Sequence, residues 1–565
     1  MSTSAADAIS GIPAAARPLV VQSDGTLLLE VASPAYEQAR DLLAGFAQLE
    51  KSPEYVHTYR LTPLSLWNAA AVGLDYDHVA AGLTALARYP VPALVLEFVR
   101  EQLGRYGRTR LAPGGDGRLL LSADASLLLT ELGADERLAG LLGERRTNGF
   151  AVEARNRGAL KQAMTRIGYP VEDLCGYVDG APLALALRGT DAAGRPFALR
   201  DYQVAAVEAF HRGGGPSGGA GVVVLPCGAG KTMVGMGAMA RLGARTLILT
   251  TSTVAVHQWI TELRDKTDLQ PQDVGEYTGE RKDMRPVTVT TYQILTHRAS
   301  KDGDFPHLDL MRESGWGLII YDEVHMLPAP VFRTTAEIQV RRRLGLTATL
   351  VREDGREDDV FALIGPKRFE VPWKVLEEKG FIAAATCTEI RVDLATERRV
   401  AYALAGRRDK FRIAAENPVK LALVEELITA NPGEPTLVIG QDLDQLAIIA
   451  RDLGLPLITG KTPSAERERL YAEFRRGEQR VLVVSKVANF AIDLPDASLA
   501  IQVSGTFGSR QEEAQRLGRI LRPKSRPARF FTLVSRDTVE QDFARKRQLF
   551  LVEQGYRYRI VNATE

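Results

Sequence analysis

Lys231 and Thr232 follow two glycines, Gly228 and Gly230, in the stretch GVVVLPCGAGKTMVGMG from Gly221 to Gly237, an arrangement suited to phosphate. Backbone N–H groups of a glycine turn, backed by the positive end of a helix, make a concave anion site. Lys231 would reach the terminal phosphates and the Thr232 hydroxyl would ligate magnesium. The usual G-x-x-x-x-G-K-[ST] spacing asks for glycine at 225, where this chain has Leu225, but the mechanism survives that change. A strand-to-helix turn with no ligand is the plain alternative. Asp322 and Glu323 end the apolar run GLIIY. They suit a division of labour in which Asp322 holds magnesium and Glu323 orients and deprotonates an attacking water. Alone, such a pair is more often a solvated strand end; beside a phosphate loop it is the expected partner. Thr347 and Thr349 in LTAT could sense a γ-phosphate or simply cap backbone groups. Gln515, Arg519 and Arg522 in EEAQRLGRILR fall on one helix face, and arginines supplied from a second domain can stabilise charge on a transferred phosphate. A solvated amphipathic helix is the ordinary reading of that segment. Gly518 in mid-helix, costing about 1 kcal/mol against alanine, points to packing or function instead.

These side chains need a parallel sheet to hold them. Val222 to Leu225 are apolar without alternation, as in a strand covered on both faces. Similar runs recur between helical stretches at TLILTT (246), VTVTTY (287), GLIIYDE (317) and LGLTAT (344), the alternation of βαβ units. The pattern restarts at PTLVIG (435), PLITG (456), RVLVVS (480), LAIQVS (499) and FFTLVS (530). The second series has no glycine-lysine-threonine loop, so it is expected to serve the nucleotide of the first. Upstream, LVVQSDGTLLLEV from Leu19 reads as a hairpin around Asp24-Gly25. Residues 36–105 read as short helices broken by prolines, and GRLLLSADASLLLTEL as a strand leading into a helix. The glycine-rich segment 213–221 reads as a flexible loop, and residues 1–17 as disordered.

A chain of 565 residues exceeds a single core. Its formal net charge of +1 means that a nucleic-acid partner would be held by local basic clusters. Three distant cysteines, Cys175, Cys227 and Cys387, match neither a disulfide framework nor a zinc module and suit a reducing cytoplasm. No segment offers the roughly 20 apolar residues that span a bilayer, and the N-terminus lacks a secretory pattern, so a soluble, cytoplasmic protein with no membrane partner is expected.

Assembled, the motifs resemble those of the XPB helicases, superfamily-two DNA translocases of nucleotide excision repair and, in eukaryotes, of transcription initiation. LRDYQ (199–203) is similar to an adenine-reading motif with Gln203 as reader. LPCGAGKT (Leu225, Pro226, Cys227, Gly228, Ala229, Gly230, Lys231 and Thr232) matches the family's phosphate loop, and DEVH (322–325) its Walker B box. GLTATLVREDG (345–355) joins the threonine motif to Arg352, Glu353 and Asp354, similar to an element used in unwinding. SKVANFAIDLP (485–495) resembles the motif that touches DNA and ribose, with Asp493 matching and Ala488-Asn489 departing from the usual Gly-Asp. QRLGRILR (515–522) is similar to the arginine-finger motif, and HTYRLTPLSLWNAAAVGL (57–74) to the family's N-terminal domain. The resemblance implies an α/β protein of two tandem RecA-like parallel-sheet helicase domains, at 186–372 and 373–565, preceded by a small mixed α+β N-terminal domain at 18–185. It also implies ATP and Mg2+ as cofactors, and DNA, single-stranded or forked, as partner, with a repair nuclease as a further partner. A thumb-like insertion is expected near 396–416, where Arg407, Arg408, Lys410 and Arg412 surround Phe411. These could grip a DNA backbone and stack on a base, or form an ordinary exposed helix. The implied activity is an ATP-dependent 3′–5′ DNA helicase acting in repair. A duplex translocase that never separates strands, or a repair scaffold with a regulatory ATPase, are the alternatives.

Overall fold

Long runs of β-branched and aliphatic residues with no polar face can bury themselves only inside a sheet covered on both sides, and the computed structural model places such runs at the centre of two sheets. It describes residues 13–563 apart from 14–15, 52–54, 116, 175–179, 215–217, 227, 296, 298–306, 308–313, 327–339, 341, 349–356, 372, 382–384, 486–496, 506–527 and 554–557. The chain divides into two compact units: Val371–Glu565, with the short stretches Lys51–Glu54 and Pro226–Ala229, forms the second, and the remainder up to Glu370 the first.

The first unit contains three sheets. Strands β1 (Leu19–Val21), β2 (Thr26–Glu30), β3 (Gln48–Lys51) and β4 (Val56–Arg60) form one, in the order β1-β2-β4-β3. Leu19 pairs with Leu29 across the hairpin, and Gly25 supplies the left-handed turn residue at φ 81°. Helices α1 (Tyr36–Leu43), α2 (Pro63–Val72), α3 (Tyr76–Leu86) and α4 (Ala93–Arg105) accompany it. The expected run of helices over 36–105 is thus interrupted by two strands. QLEK and VHTYR mix charge with apolar residues, so their period does not separate strand from helix. A second sheet, β7-β8-β6-β5-β9, is built from β5 (Thr109–Gly115), β6 (Arg118–Ala123), β7 (Arg145–Arg146), β8 (Gly149–Val152) and β9 (Val171–Asp173), with α5 (Ser126–Ala134) and α6 (Arg157–Arg166). Among the described residues the upstream region therefore holds two sheets.

The third sheet is seven-stranded, ordered β12-β13-β11-β14-β15-β10-β16, and its pairings are parallel. Its strands are β10 (Ala220–Val224), β11 (Thr246–Thr250), β12 (Val274–Tyr277), β13 (Val287–Thr291), β14 (Leu318–Asp322), β15 (Arg342–Thr347) and β16 (Lys367–Glu370). Helices α7 (Asp201–His211), α8 (Lys231–Leu242), α9 (Thr253–Lys266) and α10 (Glu357–Leu363) connect and flank them. Within the glycine-rich 213–221 segment, Arg342 Nη2 donates to the Gly214 carbonyl at 2.9 Å, and Ala220 and Gly221 belong to β10. The upstream region docks on this sheet. Asn68 of α2 accepts from the backbone N–H of Lys367 at 2.9 Å, Gln162 of α6 donates to Asp359 at 2.9 Å, and the rings of Trp67 and Tyr106 each lie 6.3 Å from Phe361.

The second unit holds another parallel seven-stranded sheet, β19-β20-β18-β21-β22-β17-β23. These are β17 (Ala385–Val392), β18 (Thr436–Ile439), β19 (Leu457–Ile458), β20 (Val481–Val484), β21 (Leu499–Gln502), β22 (Ala528–Ser535) and β23 (Tyr558–Asn562). Helices α11 (Thr396–Leu404), α12 (Arg407–Ala415), α13 (Val419–Thr429), α14 (Leu443–Asp452), α15 (Ser464–Arg476) and α16 (Val539–Glu553) accompany it. One buried ion pair ties α13 to α16: Lys420 Nζ lies 2.7 Å from Glu540 Oε2 and donates also to the Val503 carbonyl at 2.9 Å. Both parallel sheets are of the open α/β kind expected from the sequence. Among the described residues no helix is long and apolar enough to cross a membrane.

Candidate active site

Strand order brings together residues that are far apart in sequence. β15 lies between β14 and β10, with Val224 registered on Thr347 and Leu346 on Asp322. The carboxyl ends of these three strands, where open α/β sheets bind ligands, therefore carry Lys231, Thr347 and the pair Asp322-Glu323 side by side.

The loop after β10 is held by its backbone: Leu225 N–H donates to the Thr347 carbonyl at 2.9 Å and Ala229 N–H to the Pro226 carbonyl at 3.1 Å. Gly228 and Gly230 adopt φ of 80° and 78°, where a side chain is strained. Gly230 is required for a second reason, since a Cβ there would lie 2.5 Å from Gln203 Nε2. Gln203 is buried against the loop, and its Oε1 accepts from the Arg200 N–H at 2.9 Å, closing the start of α7. Gly230 begins α8 with no side-chain cap, so the helix directs N–H groups toward the loop, as anion sites do. Thr232 is half-buried in the first turn of α8.

Lys231 Nζ lies 2.6 Å from Glu323 Oε1, and both side chains are largely buried. Glu323 holds a left-handed backbone at φ 52°, a strained conformation of the kind concentrated at functional sites. Burial pushes its carboxyl up, but Lys231 and His325 outweigh that and hold it below the usual range. Asp322 behaves oppositely: burial and the Glu323 charge push it up to about 6, against the pull of Lys231 and the Trp259 indole. Trp259 Nε1 donates to Asp322 Oδ2 at 2.9 Å, and Tyr292 OH donates to the Asp322 carbonyl at 2.6 Å. His325 Nδ1 lies 2.5 Å from Thr347 Oγ1 and 3.6 Å from Glu323 Oε2, joining the carboxylate strand to the threonine strand.

Of the residues singled out from sequence, Gln203, Leu225, Gly230, Lys231, Thr232, Asp322, Glu323 and Thr347 gather here, with Pro226, Gly228 and Ala229 in the loop that links Leu225 to Gly230. Cys227, Thr349, Arg352, Glu353, Asp354, Asp493, Gln515, Arg519 and Arg522 lie outside the described residues. The basic segment forms α11 and α12. Arg408 and Arg412 are exposed and Lys410 is half-buried; Phe411 is half-buried, with its ring 6.4 Å from Phe543 of α16. The aromatic therefore anchors α12, while Arg412 pairs with Asp409 at 3.3 Å and Lys410 Nζ lies 5.4 Å from the Tyr402 ring centroid. Sequence reasoning missed Trp259, Tyr292 and the bridging role of His325. A buried indole N–H needs an acceptor, but nothing in the sequence names Asp322 as that acceptor.

The arrangement offers a lysine beside a phosphate-suited loop and a carboxylate released for proton transfer once that lysine turns to a phosphate. Asp322 and Thr232 present hard oxygen donors, and Asp322's raised affinity for a proton marks a carboxylate that a cation would relieve.

Residues 376–565 match the model described as ERCC3/RAD25/XPB C-terminal helicase, residues 19–147 that of a helicase conserved C-terminal domain, and residues 196–352 that of a type III restriction enzyme res subunit. The chain is 54% identical over 551 residues to the DNA 3'-5' helicase XPB of Kineococcus radiotolerans, covering 97% of each chain. It is 51% identical to the DNA 3'-5' helicase XPB of Mycobacterium tuberculosis, covering 97% of this chain and 98% of that one. It is also 36% identical to the general transcription and DNA repair factor IIH helicase/translocase subunit XPB of Antonospora locustae, covering 97% and 82% respectively. With relatives this similar over nearly its whole length, and with a phosphate loop, a carboxylate pair and two RecA-like sheets, the chain belongs to the XPB family of helicases.

Proposed function

We propose that this protein is an ATP-dependent DNA helicase of 3′–5′ polarity acting in nucleotide-excision-type repair in the cytoplasm. The observation that carries the reading is the buried Lys231–Glu323 pair at 2.6 Å, set beside Asp322 at the carboxyl edge of a parallel sheet. In this state each charge satisfies the other. A terminal phosphate would draw Lys231 away, leaving Glu323 as a buried base for the proton of the attacking water. Thr232 and Asp322 would hold magnesium, which, when bound, screens the phosphate charge. Gln203, beside the loop, is assigned to adenine. We assign Gln515, Arg519 and Arg522 to charge stabilisation at the transferred phosphate and Asp493 to the ribose. Thr347, Thr349, Arg352, Glu353, Asp354 and the cations of α12 are assigned to DNA coupling. Single-stranded or forked DNA is the substrate, and a repair nuclease is a partner.

The test is strand displacement by the purified full chain with ATP and magnesium, on duplexes carrying a 3′ or a 5′ single-stranded tail, alongside phosphate release. The 3′-tailed duplex should be opened, DNA should stimulate hydrolysis, and Glu323→Gln should lower turnover by about a hundredfold or more. Wild-type hydrolysis in the Glu323→Gln protein would end this reading. DNA-stimulated hydrolysis without displacement would favour movement along duplex, a reading that the similarity to the helicase/translocase subunit XPB of Antonospora locustae keeps open.

A further inference from the structure

We propose that a cavity between the upstream region and the first helicase sheet binds a phosphate-sized oxyanion. The cavity, of about 150 Å³, lies within the first unit, and seven charged side chains line it. Five are cations: Arg157 and Lys161 from α6, Arg212 at the end of α7, Arg343 from β15 and Arg368 from β16. The carboxylates are Glu172 and Asp173, next to each other on β9.

The negative charge is already committed. Asp173 accepts two hydrogen bonds from Arg157, at 2.8 and 2.7 Å, and lies 3.0 Å from Lys161. Glu172 is engaged by Arg110 at 3.2 Å. The lining therefore carries an excess of positive charge, five cations against two carboxylates, with Arg157, Lys161 and Arg343 nearly withdrawn from water; Arg343 Nη1 donates to the Leu363 carbonyl at 2.8 Å and Arg368 Nε to the Ala220 carbonyl at 2.9 Å, neutral acceptors that do not offset the charge. Burial, together with repulsion from Arg157 and Arg343, lowers the Lys161 ammonium despite Asp173, and burial with repulsion from Arg212 lowers the Arg368 guanidinium despite Tyr106 and Glu172. Arg212 reaches the cavity from a left-handed backbone at φ 45°, the kind of strain found where a side chain must be presented. It donates to the Ala71 carbonyl at 2.8 Å.

Size selects the ligand. A nucleotide needs a pocket of roughly 300 Å³ or more, whereas a tetrahedral oxyanion with its waters fits here. The chemistry is that of a phosphate group, supplied either as inorganic phosphate or as the terminal phosphate of a DNA strand. Bound there, it would tie α6 and α7 to β15 and β16, locking the upstream region onto the sheet that carries Thr347. This inference does not depend on the helicase reading.

The experiment is calorimetric titration of the full chain with inorganic phosphate, with chloride at matched ionic strength as reference and a thermal melt alongside. Because phosphate could also enter the loop at Lys231, the titration is repeated in Lys231→Ala. We expect binding to persist in that variant and to weaken about tenfold or more in Arg212→Gln and in Lys161→Met. Arg212 is exposed, so its variant tests the site even if loss of Lys161 impairs folding. A 5′-phosphorylated oligonucleotide that displaces phosphate better than its 5′-hydroxyl twin assigns the source to a DNA end; equal displacement assigns it to free phosphate. Phosphate binding no better than chloride, or binding lost in Lys231→Ala and kept in both cavity variants, would overturn the proposal.

Discussion

Replacing Trp259 with phenylalanine keeps an aromatic ring in the core and deletes one N–H. That group donates to Asp322 at 2.9 Å from a side chain 2% exposed, so no water stands ready to replace it. A hydrogen bond to a charged group of this kind contributes about 1.5 to 3 kcal/mol. Asp322 is already pushed up to about 6 by burial and by Glu323, and the indole is one of the forces resisting that push. Its removal makes the ionised carboxylate harder to form. At pH 7 the half-saturating magnesium concentration for ATP turnover should rise about tenfold, since about 1.4 kcal/mol is a factor of ten. The acid limb of the pH profile should also move upward, because turnover needs the charged form, which exists above the group's pKa. The smaller ring leaves a void, so some loss of melting temperature is expected in any case. The assay is phosphate release at saturating DNA, with magnesium varied at several pH values. A protein that melts earlier but keeps the wild-type magnesium dependence and pH profile would refute the reasoning, leaving Trp259 as packing alone.

Gly230→Ala should weaken nucleotide binding at least about tenfold, because a Cβ would meet Gln203 at 2.5 Å from a backbone at φ 78° and left-handed strain alone costs about 1 to 3 kcal/mol; titration with a fluorescent ATP analogue reads it. His325→Ala removes the link to Thr347 and should lower the stimulation of hydrolysis by DNA several-fold while leaving basal turnover closer to wild type, checked by phosphate release with and without DNA. His57, buried and hydrogen-bonded to Tyr36 at 2.9 Å, is pushed down to about 4 by burial and by Arg40. Its folded value lies below its unfolded value near 6.5, so stability should be full above pH 6.5 and fall as pH drops toward 4, by up to about 3 kcal/mol. Denaturant melts between these limits should show a slope that His57→Gln flattens.

The parts of the fold that read clearly from sequence are those where one physical demand dominates. VVV at 222–224, TLILT and LIIYD have no polar face, so only a covered strand accommodates them. The missed strands carry mixed patterns: VGEY of β12, KRFE of β16 and YRIVN of β23 lie at sheet edges, and ATCTEIRV of β17 alternates charge with apolar residues. Edge strands tolerate charge, and β16 and β23 are half-exposed along their length, which removes the signal that marks a central strand; β12 is buried throughout, and Glu276 in its short run hides it. The chemistry followed the same division. Lys231 and Glu323 announce themselves by residue type beside glycine or after an apolar run. Trp259 does not, because its partner is fixed by the placing of β11 between β13 and β14 and by Gly235, whose missing side chain makes room for the indole where a Cβ would sit 2.6 Å from the ring.

The bond from Lys367 to Asn68 has a consequence for how this motor can be dissected. β16 is the last strand of its sheet, and its outward backbone would otherwise offer a template for another chain to pair with. A helix from the first hundred residues shields that rim and supplies an acceptor for one of its amides. Removing the upstream region would therefore do more than delete a module: the ATPase core left behind would present a raw strand and be prone to stick to its own copies.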